Sequence, residues 1–303
     1  MSDPRPGLYL HLGLHRTGTG AFQDFLAANL ATLGAAGVRA KFSNRDGTGP
    51  ETLRLKLPPP RDFGTEAMAA HGRKLARTVR RNGLNAPQPV LISEENLIGA
   101  LNAAFGVAPY SHAQPRLALL RQQLTQPVRR VVLVLRSYES HAISVYRKRL
   151  EFRLLKPFEH YAAAMWPARR GWPELVADIR AALDPEEIVI LRHEARPARP
   201  EILSALLPEL PHGGWDVPER RINHSANDAA CFALVEAHKA GRSPDRAELA
   251  TLLAAHADKT APRPFIDLPE ALLAAQRARY AEDLDRIARM PGVTLYATAA
   301  QGR

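Results

Sequence analysis

Five short apolar runs punctuate the chain: Leu8–Leu12, a weaker one at Val38–Phe42, then Val90–Ser93, Val131–Leu135 and Ile188–Leu191. The fourth, "VVLVL", is apolar at every position, the pattern of a strand covered on both faces. Between the runs, apolar residues fall three and four apart. Phe22, Phe25, Leu26 and Leu30 make one stripe across Ala21–Leu33, with Gly34 and Gly37 as stop signals. Pro115–Leu124 is a predicted helix leading into the central strand, and Ser137 is placed to cap a helix reaching Leu150. Phe158–Leu183 reads as two helical pieces broken near Pro167 and Pro173. Strands alternating with helices pair in parallel through crossovers, so the pattern predicts an α/β fold: a three-layer sandwich around a central parallel sheet of about five strands.

Beyond Pro197 the alternation stops. Helical patterns follow at Asp228–Ala240, Arg246–His256 and Pro269–Met290, and Val293–Tyr296 fits a small strand. The expectation is a core over residues 1–197 and a helical C-terminal extension over 198–303 packed on it as a single domain. Ser43–Gly64 and Gly99–Pro115 carry no periodicity and read as long loops, a length associated with function.

Charge narrows the ligand. Lys and Arg number 41 against 31 Asp and Glu, a net charge of +10 over 303 residues, which attracts anions. The basic residues are scattered, and the densest cluster, Arg73–Arg81, spaces Leu75 and Val79 four apart as a helix with a solvated basic face does. Aromatic residues are 6%, too sparse to interleave with the basic ones as single-strand binding requires, so no nucleic-acid partner is expected. The single cysteine, Cys231, excludes an internal disulfide framework and a cysteine-built zinc site, and its apolar surroundings mark a core residue. No apolar run approaches the ~18 residues of a membrane span, and "MSDPRPGLYLHLG" lacks a charged-then-apolar leader, so a cytoplasmic protein without a transmembrane segment is expected.

The chemistry concentrates at "YLHLGLHRTGTGAF", Tyr9 to Phe22, where an apolar run breaks at glycine and a helical pattern resumes. In open α/β sheets ligands lie beyond the carboxyl ends of the strands. Main-chain amides from Arg16 to Gly20 face such a concavity, aided by the positive end of the following helix dipole. Gly13, Gly18 and Gly20 permit close approach, Thr17 and Thr19 add hydroxyls, and Arg16 adds a permanent charge with a fork of donors. A phosphate-like anion suits that elbow. Gly13 and Gly18 have the spacing of a nucleotide-triphosphatase P-loop, yet Thr19 stands where its lysine belongs and Gly20 where its magnesium-binding hydroxyl belongs.

The displaced pattern, a basic residue followed by Thr-Gly-Thr, resembles the 5′-phosphosulfate loop of the sulfotransferases that use 3′-phosphoadenosine 5′-phosphosulfate (PAPS). A second element supports the likeness. "VVLVLRSYESHAISVYRKRL" is a buried strand ending in Arg136, with Ser144 eight residues on. In that family a strand-end Arg and a Ser about two helical turns later grip the 3′-phosphate. Read alone, "LRSYES" is a strand–helix junction with a surface arginine. "PFEHYAAAMW" and the "WPELVADIRAALDPEEIVILRHEA" that follows are similar to the helix–helix–strand run of bacterial members. The resemblance thus implies a P-loop-like nucleotide-binding fold, PAPS as sulfuryl donor, no metal, and a hydroxyl-bearing acceptor, with the basic charge favouring an anionic one. Most relatives have Lys where Arg16 stands and Thr where Gly20 stands, which leaves room for a catalytically impaired anion-binding protein.

The resemblance also suggests site roles. Arg16 would neutralise the departing 5′-phosphate, with Thr17, Gly18, Thr19 and Gly20 around it. Arg136 and Ser144 would hold the 3′-phosphate. His193 stands where relatives often have Tyr near the adenine, although a turn histidine exposed to solvent accounts for it as well. Arg221, beside Arg220 in "PERRINHSAND", would close over the 3′-phosphate. For the base that takes the acceptor proton, "VLISEENL" ends a strand at the same sheet edge, with Glu95 the closer match to relatives and Glu94 second. His15, inside the anion loop, is the rival, and His11 belongs to a strand face. The competing reading is a P-loop kinase or nucleotidase in which the same glutamates hold magnesium.

Overall fold

A computed structural model describes residues 4–43, 53, 55–166, 170–219 and 225–297. Strands form where side chains on both faces leave water. Every residue of β1 (Gly7–His11) and β3 (Pro89–Ser93) is buried. They are joined by β2 (Arg39–Phe42), β4 (Val128–Leu135), β5 (Glu187–Arg192) and β6 (Val293–Leu295) in one sheet of order β2-β3-β1-β4-β5-β6. All five pairings are parallel. The sheet has six strands, not five: the short run at Val293 pairs with Ile188 at the edge.

The helices are α1 (Thr19–Ala28), α2 (Leu30–Ala35), α3 (Ala67–Asn82), α4 (Ala113–Arg121), α5 (Tyr138–Leu150) and α6 (Phe158–Met165). After them come α7 (Trp172–Leu183), α8 (Arg199–Leu206), α9 (Asp228–Lys239), α10 (Arg246–His256) and α11 (Glu270–Ala288). Alternation along the strands divides the core. Leu8, Leu10, Val131 and Leu133 pack towards α3, α4, α7 and α11, while Tyr9, Leu91, Val132 and Val134 pack towards α1, α2 and α8. Each fully buried Leu or Val contributes ~1.5–3 kcal/mol, so the two clusters fix a layer of helices on each face.

Local chemistry accounts for the departures from expectation. The stripe predicted as one helix over Ala21–Leu33 is two, because Asn29 turns its amide back on the Phe25 carbonyl and out to Asp216, whose N–H it also accepts. Phe158–Leu183 is two helices, as the prolines indicate, with α6 ending at Met165 and α7 starting at Trp172; Pro173 sits in the first turn of α7, where its missing N–H has no intrahelical acceptor anyway. Pro167 lies outside the described residues. Pro200 occupies the same place in α8, a helix that the proline-rich sequence hides. On α3, Leu75 and Val79 are buried while Arg73, Lys74, Arg77, Arg80 and Arg81 are exposed, as the solvated-face reading requires.

The residues after 197 join the core in several places. α8 completes one helical layer, β6 extends the sheet, and α11 packs on α7 and α5. α9 packs on α5, with Cys231 buried in the small cluster around Leu150 and Leu234. Among the described residues no helix is long and apolar enough to cross a membrane.

This strand order places the site. From β1 the chain moves towards β2, and from β4 it moves the opposite way towards β5, so the loops after these neighbours diverge. Such a switch point opens a crevice at the strands' carboxyl ends. The two segments singled out in the sequence follow β1 and β4.

Candidate functional site

The turn after β1 is held in a form most side chains resist. Gly13 has φ 50° and Gly18 φ 99°, while Arg16, a non-glycine, has φ 69°. Gly13 is required twice over, since a Cβ there would meet Thr19 Oγ1 at 2.3 Å. Left-handed backbone at Arg16 costs ~1–2 kcal/mol, and three bonds hold it. Arg136 Nη1 donates to the Arg16 carbonyl at 2.8 Å, and the Arg16 guanidinium donates to Ser144 Oγ at 3.2 Å and to Ser225 Oγ at 2.7 Å. α1 begins at Thr19, and Phe22 N–H is the donor that reaches back to the Gly18 carbonyl. The amides of Thr19, Gly20 and Ala21 therefore precede the intrahelical ladder and sit at the positive end of the dipole.

The threonines divide. Thr17 Oγ1 donates to the Leu14 carbonyl at 2.7 Å, so that hydroxyl closes the turn instead of offering a proton to a ligand, a correction to its expected role. Thr19 Oγ1 is buried with no hydrogen-bond partner among the described residues, an orphan beside the loop.

Arg136 leaves the end of β4 half-buried, its Nε donating to Ser140 Oγ at 2.8 Å and its carbonyl accepting from Trp172 Nε1 at 2.9 Å. Burial, and then the charge of Arg16, hold its pKa below the ordinary arginine value, with Glu194 and Glu139 acting in the opposite sense. Ser137 occupies the N-cap position of α5, but its hydroxyl donates to Glu139 at 2.9 Å, and Glu194 accepts the Ser137 N–H at 2.8 Å. A carboxylate just beyond the end of β5 thus holds the main chain where α5 begins.

Across the crevice, Glu94 is 2% exposed and its carboxyl is fully engaged. Oε1 accepts from the main-chain N–H and side-chain amide of Asn96, both at 2.8 Å, and Oε2 accepts a short bond from Ser43. Burial pushes its pKa up to about 7, only partly countered by the Asn96 bonds. Glu95 opens a 3-10 turn, Glu95–Leu97, and is half-buried. His15 faces Tyr110 and Asn96, and burial lowers its pKa. His11 is core, as its alternation indicates: its ring meets the edge of Phe22 at 4.7 Å, and burial lowers its pKa to about 3.

A cleft of about 650 Å³ gathers these groups. Of the residues singled out in the sequence, His15, Arg16, Gly18, Thr19 and Gly20 line it from β1 and α1, Glu94 and Glu95 from β3, and Arg136, Ser144 and His193 from the far side. His193 is half-buried rather than an exposed turn residue, and burial with the nearby Arg136 charge lowers its pKa to about 4. Arg221 and Arg220 lie outside the described residues. The neighbours of Ser144 on α5 point elsewhere: Tyr146 donates to the Lys156 carbonyl within an aromatic cluster, and Arg147 pairs with Asp228.

Sequence reasoning missed Asn96, Ser43, Ser225 and Tyr110. Ser225 comes from the far C-terminal part, and Tyr110 from the stretch read as a structureless loop. Tyr110 shares that stretch with Phe105, Leu101 and Val107, and no spacing there singles it out. Among the described residues no group of three His, Cys, Asp or Glu is disposed to hold a metal ion. A scan against protein-family models returns no match for this chain, and a search of curated proteins returns none either.

Proposed function

We propose that the cleft binds PAPS and that the protein transfers its sulfuryl group to a hydroxyl of an acceptor, releasing 3′-phosphoadenosine 5′-phosphate (PAP). One observation carries this reading: Arg16 and Arg136 lie in a single cleft, close enough for each to oppose the other's charge, with Ser144 bonded to one of them. Two guanidiniums sharing a half-buried site favour a multiply charged anion, and their forks suit phosphate oxygens. The volume, about 650 Å³, is that of a small-molecule site.

The residues divide the work. The free amides at the start of α1 and the orphaned Thr19 hydroxyl suit the 5′-phosphosulfate end. Arg136 and Ser144 suit the 3′-phosphate. Arg16 differs from the role drawn from the motif, since its guanidinium rests on Ser144 and Ser225. It serves the 3′ end as it stands, and must leave those serines to act on the departing 5′-phosphate. In transfer, the acceptor oxygen bonds to sulfur while the bond from sulfur to the 5′-phosphate oxygen breaks. The electron pair leaves with PAP, and the acceptor proton passes to a carboxylate. Glu94 and Glu95 are the carboxylates within the cleft. Glu94 has the proton affinity of a base near neutral pH, and Glu95 has the closer motif position and fewer bonds to break.

Thermal stabilisation tests the reading. PAP at ~100 times its dissociation constant is expected to stabilise the folded chain by ~2.7 kcal/mol, with ATP–magnesium giving less. A shift with ATP–magnesium alone would replace this reading with the kinase or nucleotidase one. A shift with neither would leave a basic anion-binding protein.

A further inference from the structure

Tyr110 is fully buried in the segment between β3 and α4, held at a left-handed φ of 53°, with its hydroxyl against His15. That hydroxyl lies 3.2 Å from the His15 main-chain nitrogen and 3.1 Å from His15 Nδ1, and the two rings stack at 6.0 Å. A main-chain N–H can only donate, so the Tyr110 oxygen accepts there. Its own hydrogen must then find an acceptor, because a buried hydroxyl left without one forfeits ~1–3 kcal/mol. Among the described residues the recorded neighbour able to take it is His15 Nδ1. His141, whose ring centroid is 6.5 Å from that of Tyr110, does not take it at Nε2, which has no partner among the described residues.

The other end of the imidazole agrees. If Nδ1 accepts, Nε2 carries the proton and faces Asn96 Oδ1 at 3.4 Å. The Asn96 side-chain amide is already committed as a donor to Glu94 Oε1 at 2.8 Å, which leaves Oδ1 as the acceptor. One direction of donation runs from Tyr110 through His15 and Asn96 to Glu94, and every member keeps a consistent role.

We propose that Tyr110 is a positioning residue that fixes His15 as the Nε2–H tautomer, so that His15 serves the cleft as a neutral hydrogen-bond donor and not as its base. The bond to Asn96 is long, so an anionic oxygen in the cleft competes for that proton on good terms. Burial, which lowers the His15 pKa, keeps the ring neutral. The donor role rests on the cleft holding an anion, as proposed above, whereas the tautomer does not. The test below therefore uses no nucleotide and no acceptor.

Histidine 15N NMR on the full chain at neutral pH reads the tautomer directly. In the wild type, His15 is expected to show a protonated Nε2 and an unprotonated, pyridine-like Nδ1. Tyr110→Phe, which keeps the ring but deletes the hydroxyl, is expected to lose that single tautomer and give a mixture or an Nδ1–H form. Asn96→Ala, at an exposed position, is expected to keep it. A protonated Nδ1 in the wild type would overturn the assignment even if Tyr110→Phe failed to fold. An unchanged tautomer in folded Tyr110→Phe, or its loss in Asn96→Ala, would move control away from Tyr110.

Discussion

At Glu94, burial works against charge. Its pKa is raised from 4.5 to about 7, so the folded chain binds a proton there that the unfolded chain has already released between those values. The stability this contributes is complete below the unfolded pKa and is lost as pH rises through the folded one, ~3 kcal/mol in all. Denaturant unfolding from pH 4.5 to 8 is expected to show the wild type losing that amount relative to Glu94→Gln; parallel profiles would contradict the assignment. Arg136 has a different part, since it holds the Arg16 carbonyl as well as facing the cleft. Arg136→Ala is expected to cut PAP affinity ~10–100-fold by calorimetry, the loss of one or two hydrogen bonds to a charged group. Because Arg16 reaches Ser144 and Ser225, Arg16→Ala is expected to weaken PAP binding as well as slow transfer. An effect on turnover alone would restore the role drawn from the motif.

Among the elements, the loop after β1 was readable because its chemistry is contiguous: strand, glycines, Arg16, helix. The same holds for the β4–α5 junction, where Arg136 at the strand end and Ser144 in the helix belong to one short stretch. Contacts between distant segments left no such trace. The Ser137 N–H before α5 is held by Glu194, fifty-seven residues on, and the break at Asn29 is set by Asp216. A prolyl residue reads as a breaker unless its place in the first turn is known, which is why α8, with Pro200 there, was hidden. The loop also carries a local test. Gly13→Ala puts a methyl group on Thr19 Oγ1 at left-handed φ and is expected to cost ~1–3 kcal/mol. A melting temperature equal to that of the wild type would show that the turn does not need glycine.

Across the whole molecule, the strand order does what no single motif does: it puts β1 beside β4 and sends the chain opposite ways from them, so that residues 120 positions apart share a cleft. Alternation of strands and helices made the layers readable, yet five runs could not give their lateral order, and the sixth strand comes from the last stretch of chain described. The division drawn at residue 197 followed the change in pattern, but the later segments return to the core with β6, α8 and Ser225. The central claim is that one cleft holds both phosphates of one nucleotide, and its most direct measurement compares PAP with 5′-AMP, which lacks the 3′-phosphate. Calorimetry is expected to show wild-type protein binding PAP at least ~10-fold more tightly, one charge-assisted contact's worth, with that preference lost in Arg136→Ala. Equal affinities in the wild type, or a preference that survives Arg136→Ala, would contradict it.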